Sequence, residues 1–278
     1  MWITVIAVLS VLSGIVIFML VPYSPATARF RHITAEKISA AEITPDLFSE
    51  QDIANLPVPV RNYFRYCGYL GAPKMTYMKA FLKDVDFVMS ESKTIKIDYK
   101  QLNLVERPER FALITSSILG IPFEGQDSYE GGKGRMKGII AKVFPLFDQR
   151  GESMDRSCLV TWLAECLLVP SAALQDFVCW EAVDDTHATA AVIWEGVSAG
   201  GTFTFSETGK LLAFRTCDRA AVDMDGKETT VDWSAFFRDY HCVNGLMQPK
   251  VIQSVWHYTK GDCIYFNQNE TAVEICYK

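Results

Sequence analysis

Histidine is scarce, with four in 278 residues, the eight cysteines never form a C-x-x-C pair, and the first 21 residues carry no ionisable side chain. Cys67, Cys158, Cys166, Cys179, Cys217, Cys242, Cys263 and Cys276 show no metal-finger spacing, and His241, Cys242, His257 and Cys263 fit no zinc pattern. They read as free thiols packed in a core unless the compartment is oxidising, and no metal or cofactor is called for. Basic residues are outnumbered, 27 against 33 acidic ones, for a formal charge of -6. Without clustered Lys and Arg there is no nucleic-acid footprint, and an acidic body is a poor match for anionic lipid headgroups. Gly131-Gly132-Lys133-Gly134 lacks the Walker spacing, so it reads as a hairpin turn needing positive φ rather than a phosphate cradle. No repeat period runs along the chain, which excludes a solenoid or propeller.

What the chain does have begins with an apolar run from Met1 to Val21, followed by Pro22, Pro25, Arg29 and Arg31. At a helical rise of about 1.5 Å per residue this run spans a bilayer's hydrocarbon core. Ala26-Thr27-Ala28 resembles a signal-cleavage site, but the run lacks a basic n-region and exceeds a signal's apolar length. Residues 1–22 are therefore expected to be an uncleaved single-pass anchor, 23–43 a polar tether, and 44–278 one domain. Arg29, Arg31 and Lys37 follow the run, and the positive-inside tendency alone would hold the domain in the cytoplasm.

The body is 49% hydrophobic and 22% charged, a globular balance. Thr44-Pro45-Asp46 predicts a helix start, and a second short helix should run from Val60 to Cys67, stopped by Gly68. From Met75 the period becomes two. Ile95, Ile97 and Tyr99 alternate with Lys96, Asp98 and Lys100, and Phe203 with Phe205 and Val273, Ile275 and Tyr277 repeat the pattern. Turn signals stand at 131–134, 207–209, 225–226 and 260–262. One helix is expected from Glu152 to Val169, with Met154, Cys158, Leu159, Trp162, Leu163, Cys166 and Leu167 on its apolar side, Asp155, Arg156 and Glu165 elsewhere, and Pro170 as its end. The fold class that follows is α+β: a curved, half-barrel-like antiparallel sheet around a packed central helix, with short N-terminal helices.

Three segments carry a family resemblance. The run Gly125-Gln126-Asp127-Ser128-Tyr129-Glu130-Gly131-Gly132-Lys133-Gly134-Arg135-Met136, the helix ending in Glu165 and Pro170, and Leu56-Pro57-Val58-Pro59-Val60-Arg61-Asn62-Tyr63 resemble a bacterial membrane-anchored family of unknown function. The stretch from Gln248-Pro249-Lys250 to Trp256 and on to Tyr265 is similar to that family's ending. The resemblance covers residues 50 to 278; it implies an anchored domain and brings no activity. By architecture alone the chain is also similar to half-barrel lipid and lipoprotein carriers of the bacterial envelope, a fold-level analogy.

Asp127, Tyr129 and Arg135 sit on the arms of one expected hairpin, and Glu165 on the helix after it. A carboxylate there turned into an apolar cavity, held ionised by Arg135 or Arg215, would bind a polar headgroup or do acid-base chemistry; a structural ion pair joining helix to sheet is the other reading. Aromatic residues, Trp180 and Trp256 among them, would line such a cavity or fill a solid core. Gly196-Val197-Ser198-Ala199-Gly200 satisfies G-x-S-x-G, with Asp232 and His241 or His257 downstream, but a strand follows where the nucleophile elbow needs a helix. The candidate ligand-binding set is Asp127, Tyr129, Arg135, Glu165, Trp180, Arg215 and Trp256. The expected function is a membrane-anchored, non-catalytic binder of a hydrophobic or lipidic molecule in the cell envelope, its soluble domain extracytoplasmic. The alternatives are a hydrolase using Ser198 or Asp127 and Glu165, and a module assembling with other envelope proteins.

Overall fold

The structure, a computed structural model, describes residues 2–90, 93–222, 226–268, 271 and 273–278. Helices α1 (Trp2–Leu20), α2 (Pro25–Ala40), α3 (Glu50–Ile53) and α4 (Val58–Cys67) precede a meander of β1 (Tyr77–Ser90), β2 (Lys93–Leu104), β3 (Arg110–Ile118), β4 (Ile121–Glu130), β5 (Lys133–Ile140) and β6 (Phe144–Gln149). Helix α5 (Glu152–Glu165) and a 3-10 turn at Pro170–Leu174 lead into β7 (Val178–Ala182), β8 (His187–Trp194), β9 (Val197–Phe205), β10 (Leu211–Thr216), β11 (Ala220–Val222) and β12 (Glu228–Thr230). Then come β13 (Asp232–Arg238), β14 (His241–Val243), β15 (Leu246–Gln248), β16 (Val251–Tyr258), β17 (Gly261–Gln268) and β18 (Glu274–Tyr277).

The protein is α+β, built on one antiparallel sheet of 14 strands in the order β6-β5-β4-β3-β2-β1-β17-β16-β13-β10-β9-β8-β7, with β18 also beside β1. The alternation that marked the strands is realised as burial: Ile97, Tyr99, Phe203, Phe205 and Ile275 all face the interior. A bulge bends β1, where the register with β2 slips between Leu82 and Val85 and Asp84 takes φ 55°. Below it Met78 to Phe81 pair with β18, and above it Asp86 and Phe87 pair with β17.

Helix α5 lies in the concavity, packed on β4 and β5 of one arm and β8 and β9 of the other. It is buried nearly all round from Ser157 to Ala164. Asp155, expected to face away from the core, is buried too; its carboxylate accepts the Gly134 N–H at 2.7 Å and pairs with Lys133 at 2.9 Å. The helix ends at Glu165, four residues short of the expected Val169: Cys166 and Leu168 close tighter turns onto the Leu163 and Glu165 carbonyls at 3.1 and 2.9 Å, and Val169, before Pro170, leaves helical geometry (φ -124°, ψ 78°). No helix starts at Thr44-Pro45. Leu47 is held in a bridge with Pro73, and the start moves to Glu50, where the Ser49 N–H donates to the Asp52 carboxylate at 2.8 Å. Helix α4 stops as expected at Gly68, in left-handed geometry with φ 75°. The turn at 225–226 falls partly outside the described residues.

The segment read as a polar tether is largely α2, docked on the convex face. Ala26 and Phe30 meet Leu113 and Ile139, and Ile33 and Ile38 join Tyr77, Leu102 and Phe111. Lys37 pairs with Glu109 at 2.6 Å and Glu130 at 2.7 Å. Helix α1 has 19 residues, none of them buried, and is long and apolar enough to cross a membrane.

The row Val85, Ile97, Ser116, Phe123, Ile140 sets the ends of the meander. The paired ends of β1 and β2 at Ser90 and Lys93 and the β3–β4 and β5–β6 turns lie at one end, and the antiparallel pairing of β1 with β17 puts the β16–β17 turn there as well.

The backbone of α5 reaches β5 only because Gly134 has no side chain: a Cβ there would stand 2.4 Å from the Met154 carbonyl oxygen. Gly134→Ala is expected to cost about 1–3 kcal/mol, because the atom it meets is main chain and cannot rotate aside. Urea unfolding of the detergent-solubilised chain, followed by tryptophan fluorescence, measures it.

Candidate functional site

Between α5 and the concave face of β1, β17, β16 and β13 lies a cavity of about 1130 Å³. Met154, Ser157, Cys158, Thr161, Glu165 and Leu168 reach it at spacings of three and four, so one side of α5 is a cavity wall. Leu159, Trp162, Leu163 and Cys166 of the same helical segment pack into the solid core, which includes α4. The walls facing α5 are mainly apolar and include small residues, Ala80 of β1, Ala235 of β13 and Ala221 of the separate β11–β12 pair, beside Leu82, Phe123 and Phe237. The lining is buried at Met78 and Phe237 and exposed at Ser90, Lys227, Thr229, Lys260 and Asp262, so the mouth lies at the end carrying Ser90 and the β16–β17 turn.

The wall carries one polar cluster. Arg110 heads β3 with the parity of Ala112 and Ile114, which turns it inward beside Tyr99 of β2 and Asp127 of β4. Its side chain is 4% exposed; Nη1 donates to Asp127 Oδ2 at 2.6 Å, Nε to Glu165 Oε2 at 3.0 Å, and Nη2 to the Tyr99 hydroxyl. Gln101 and Asn103 also donate to Glu165 Oε2, at 2.7 and 2.8 Å. Burial pulls the guanidinium pKa down, but Glu165, Tyr99 and Asp127 outweigh it and hold it well above the ordinary arginine value. Burial likewise pushes the Tyr99 phenol and the Cys158 thiol up, and the Cys158 sulfur lies 3.7 Å from Asp127 Oδ1. Two carboxylates answer one guanidinium, so the cluster is formally one charge negative. Glu165 Oε1 has no hydrogen-bond donor among the described residues and is an acceptor available to the cavity.

A second cation, Arg219, lies over Trp233 and Trp256, 4.6 and 5.5 Å from their ring centres, and donates to Thr161 Oγ1 at 2.6 Å.

Of the residues singled out by sequence, Asp127, Glu165 and Trp256 line the cavity. Tyr129, Arg135, Trp180 and Arg215 do not. Tyr129 is covered beside α5, with its hydroxyl buried and unpartnered among the described residues. Arg135 pairs with Asp148 at 2.6 Å, and Arg215 pairs with Asp232 at 2.8 Å. Trp180 packs on Phe203 and donates to the Ala173 carbonyl at 2.9 Å. The carboxylates' partner is Arg110, not Arg135 or Arg215. Arg110 and Arg219 were missed; the parity of Arg110 with Ala112 and Ile114 was the signal that could have found the first.

Of the groups suggested for a hydrolase, Asp127 and Glu165 meet through Arg110, whereas the Ser198 triad does not assemble. Gly196-Val197-Ser198-Ala199-Gly200 is a hairpin, turning through Glu195 and Gly196 (φ 49° and 78°) straight into β9. Strands β10 and β13 separate β9 from β16, which at about 4.8 Å per strand keeps Ser198 far from His257. Another string does form: His257 meets Asp262 at 2.8 Å and Ser234 at 2.9 Å. Ser234, however, is 2% exposed in an interior strand whose N–H groups are committed to the ladder, so they supply no oxyanion hole. Among the described residues no group of three His, Cys, Asp or Glu is placed to hold a metal ion.

Removing Arg110 would leave two mostly buried carboxylates without their cation. Arg110→Met is expected to lose about 3–5 kcal/mol in urea unfolding. Arg110→Lys should recover only part of it, since one ammonium cannot serve both acids and Tyr99 in the guanidinium's geometry.

No curated protein matches the sequence. Among solved structures, a LolA superfamily protein from Nitrosomonas europaea is similar at 8% identity and a TM-score of 0.39, over 78% of this chain and 90% of that one. Residues 46–268 match the sequence pattern of a family described as of unknown function, and the chain belongs to that family, DUF6544.

Proposed function

We propose that the protein is a membrane-anchored, non-catalytic binder of a hydrophobic or lipidic molecule, with α1 as the anchor and the cavity as the binding site. The observation that carries this reading is the cavity itself: with mainly apolar walls and a polar cluster it has the make-up of a small-molecule site, and at about 1130 Å³ it is slightly larger than most. The ligand has an apolar body. Its head is a hydrogen-bond donor or a cation, because two carboxylates face one guanidinium and Glu165 Oε1 meets no donor among the described residues. In this reading Asp127, Glu165 and Trp256, from the sequence-derived set, touch the ligand, joined by Arg110 and Arg219.

Mass spectrometry of the full chain, with solvent extraction of what it retains, tests the reading against a variant with the cavity filled. A lipid-like molecule held near one per chain by the wild type and lost in Ala235→Trp is the expected result. Equal amounts in both would place the lipid around α1 instead and remove the binder reading.

The soluble domain is proposed to be extracytoplasmic, and its free thiols report on that. Cys179, Cys217, Cys242 and Cys276 are exposed, while Cys67, Cys158 and Cys166 are buried. Burial pushes Cys67 up to about 12, so its reactive thiolate is negligible near neutral pH. A membrane-impermeant maleimide should label the exposed group in intact cells and the buried group only after unfolding. Labelling that requires lysis would put the domain in the cytoplasm.

A further inference from the structure

Resting on the reading of α1 as a membrane anchor, we propose that the tips of the β3–β4 and β5–β6 hairpins dock into the same leaflet from which α1 emerges, holding the cavity mouth against the lipid. The β3–β4 tip is Leu119-Gly120, with φ 53° and 80°. Tight hairpins favour Asn-Gly where both central residues take positive φ, and a leucine there is disfavoured by its own Cβ. This leucine is nevertheless 98% exposed. Beside it stands Ile121, 45% exposed, and the β5–β6 tip adds Val143 at 52%, Phe144 at 63% and Leu146 at 44%. Isolated surface leucines need no explanation, but a set of large apolar side chains gathered on two adjacent tips does.

The occupant is a bilayer because of what the second tip holds. Lys142, at φ 65° in the β5–β6 turn, donates its ammonium to the Phe18 carbonyl at 2.7 Å and the Val21 carbonyl at 2.6 Å. It thereby caps the C-terminal end of α1, where unpaired carbonyls and the negative end of the helix dipole favour a cation. The Phe18 ring lies beneath the same ammonium at 5.3 Å. Three residues on, Ser24 caps α2 and its hydroxyl donates to the buried Glu124 of β4, which also accepts from Thr27 at 3.2 Å. The point where α1 ends is thus tied to the sheet on both sides of the turn at 21–24. The apolar tips belong to the same end of the meander, and so does the mouth at Ser90, Lys260 and Asp262. A membrane crossed by α1 meets Leu119, Val143 and Phe144 at the interface, and a lipid leaving it meets the mouth without crossing open water.

The test uses the full chain reconstituted in vesicles of phosphatidylcholine and phosphatidylglycerol containing an alkyne-tagged phosphatidylcholine. A benzoylphenylalanine photocrosslinker is placed at Leu119, at Phe144, or at Val183, an exposed apolar residue beyond β7 that serves as reference. Lipid adducts should exceed those at Val183 by about tenfold, the partition preference that burying one large apolar side chain supplies. Adducts at the reference level, or adducts to a second protein chain in place of lipid, would overturn the docking. Alkali extraction of the same vesicles separates the two layers of the reading. If the chain is stripped from the membrane, the anchor fails and the docking with it; if it resists extraction and the tips give only reference levels, the docking alone fails.

Discussion

A guanidinium cannot leave water without partners, and Arg110 obliges three elements to meet around it. Its own strand, β3, runs between the strands that supply Tyr99, Gln101 and Asn103 on one side and Asp127 on the other, while Glu165 comes from the last turn of α5. The cost of burying such an ion unpaired exceeds any single packing contact, so the C-terminal end of α5 has one acceptable place, over β3. Its other end is fixed by Asp155 on Lys133 and the Gly134 N–H, over β5. Held at both ends, α5 lies across the concavity like a beam. One side packs Leu159, Trp162 and Leu163 into the solid core, and the other is left facing open space.

That the space stays open requires its own account, since protein interiors are close-packed and atoms lining a void forgo dispersion contacts. Here the hydrogen-bonded ladder resists collapse. The bulge at Asp84 bends β1, and alanines at 80, 221 and 235 line the gap where larger residues would have narrowed it. The body therefore tolerates a hollow of about 1130 Å³ that an apolar guest would repay with contacts.

The strands were legible because burial on one face is written residue by residue with period two, as Ile95, Ile97 and Tyr99 show. The end of α5 and the start of α3 were not. Thr44-Pro45 and Ser49 obey the same capping rule, and the choice between them is made by the bridge of Leu47 to Pro73, a contact that local sequence does not announce. The site was half legible for the same reason. Asp127 stood out on the arm of the distinctive hairpin and Glu165 on the helix after it, but their partner Arg110 joins Glu165 across 55 positions of sequence, through the register of three strands and the reach of a helix. Arg135 and Arg215 were nearer in pattern to a cavity-facing cation, yet the pleat turns both outward, to Asp148 and Asp232. Tyr129 has the inward parity of Asp127 but lies under α5, a covering that no periodicity encodes.

The coupling between α1 and the body uses groups that each helix must satisfy in any case. The last carbonyls of α1 need donors and the first N–H groups of α2 need acceptors, whatever surrounds them. Water or a flexible tether would meet those needs and leave the body free to turn. Lys142 and the Ser24–Glu124 pair meet them from the sheet instead, beside tips whose apolar side chains stay exposed. End-capping and orientation thus become one set of bonds. In the proposed arrangement the mouth faces lipid because the helix that enters the bilayer is capped by the same hairpins that rim the apolar end of the sheet, and loosening either cap would free the direction of the cavity without disturbing its walls.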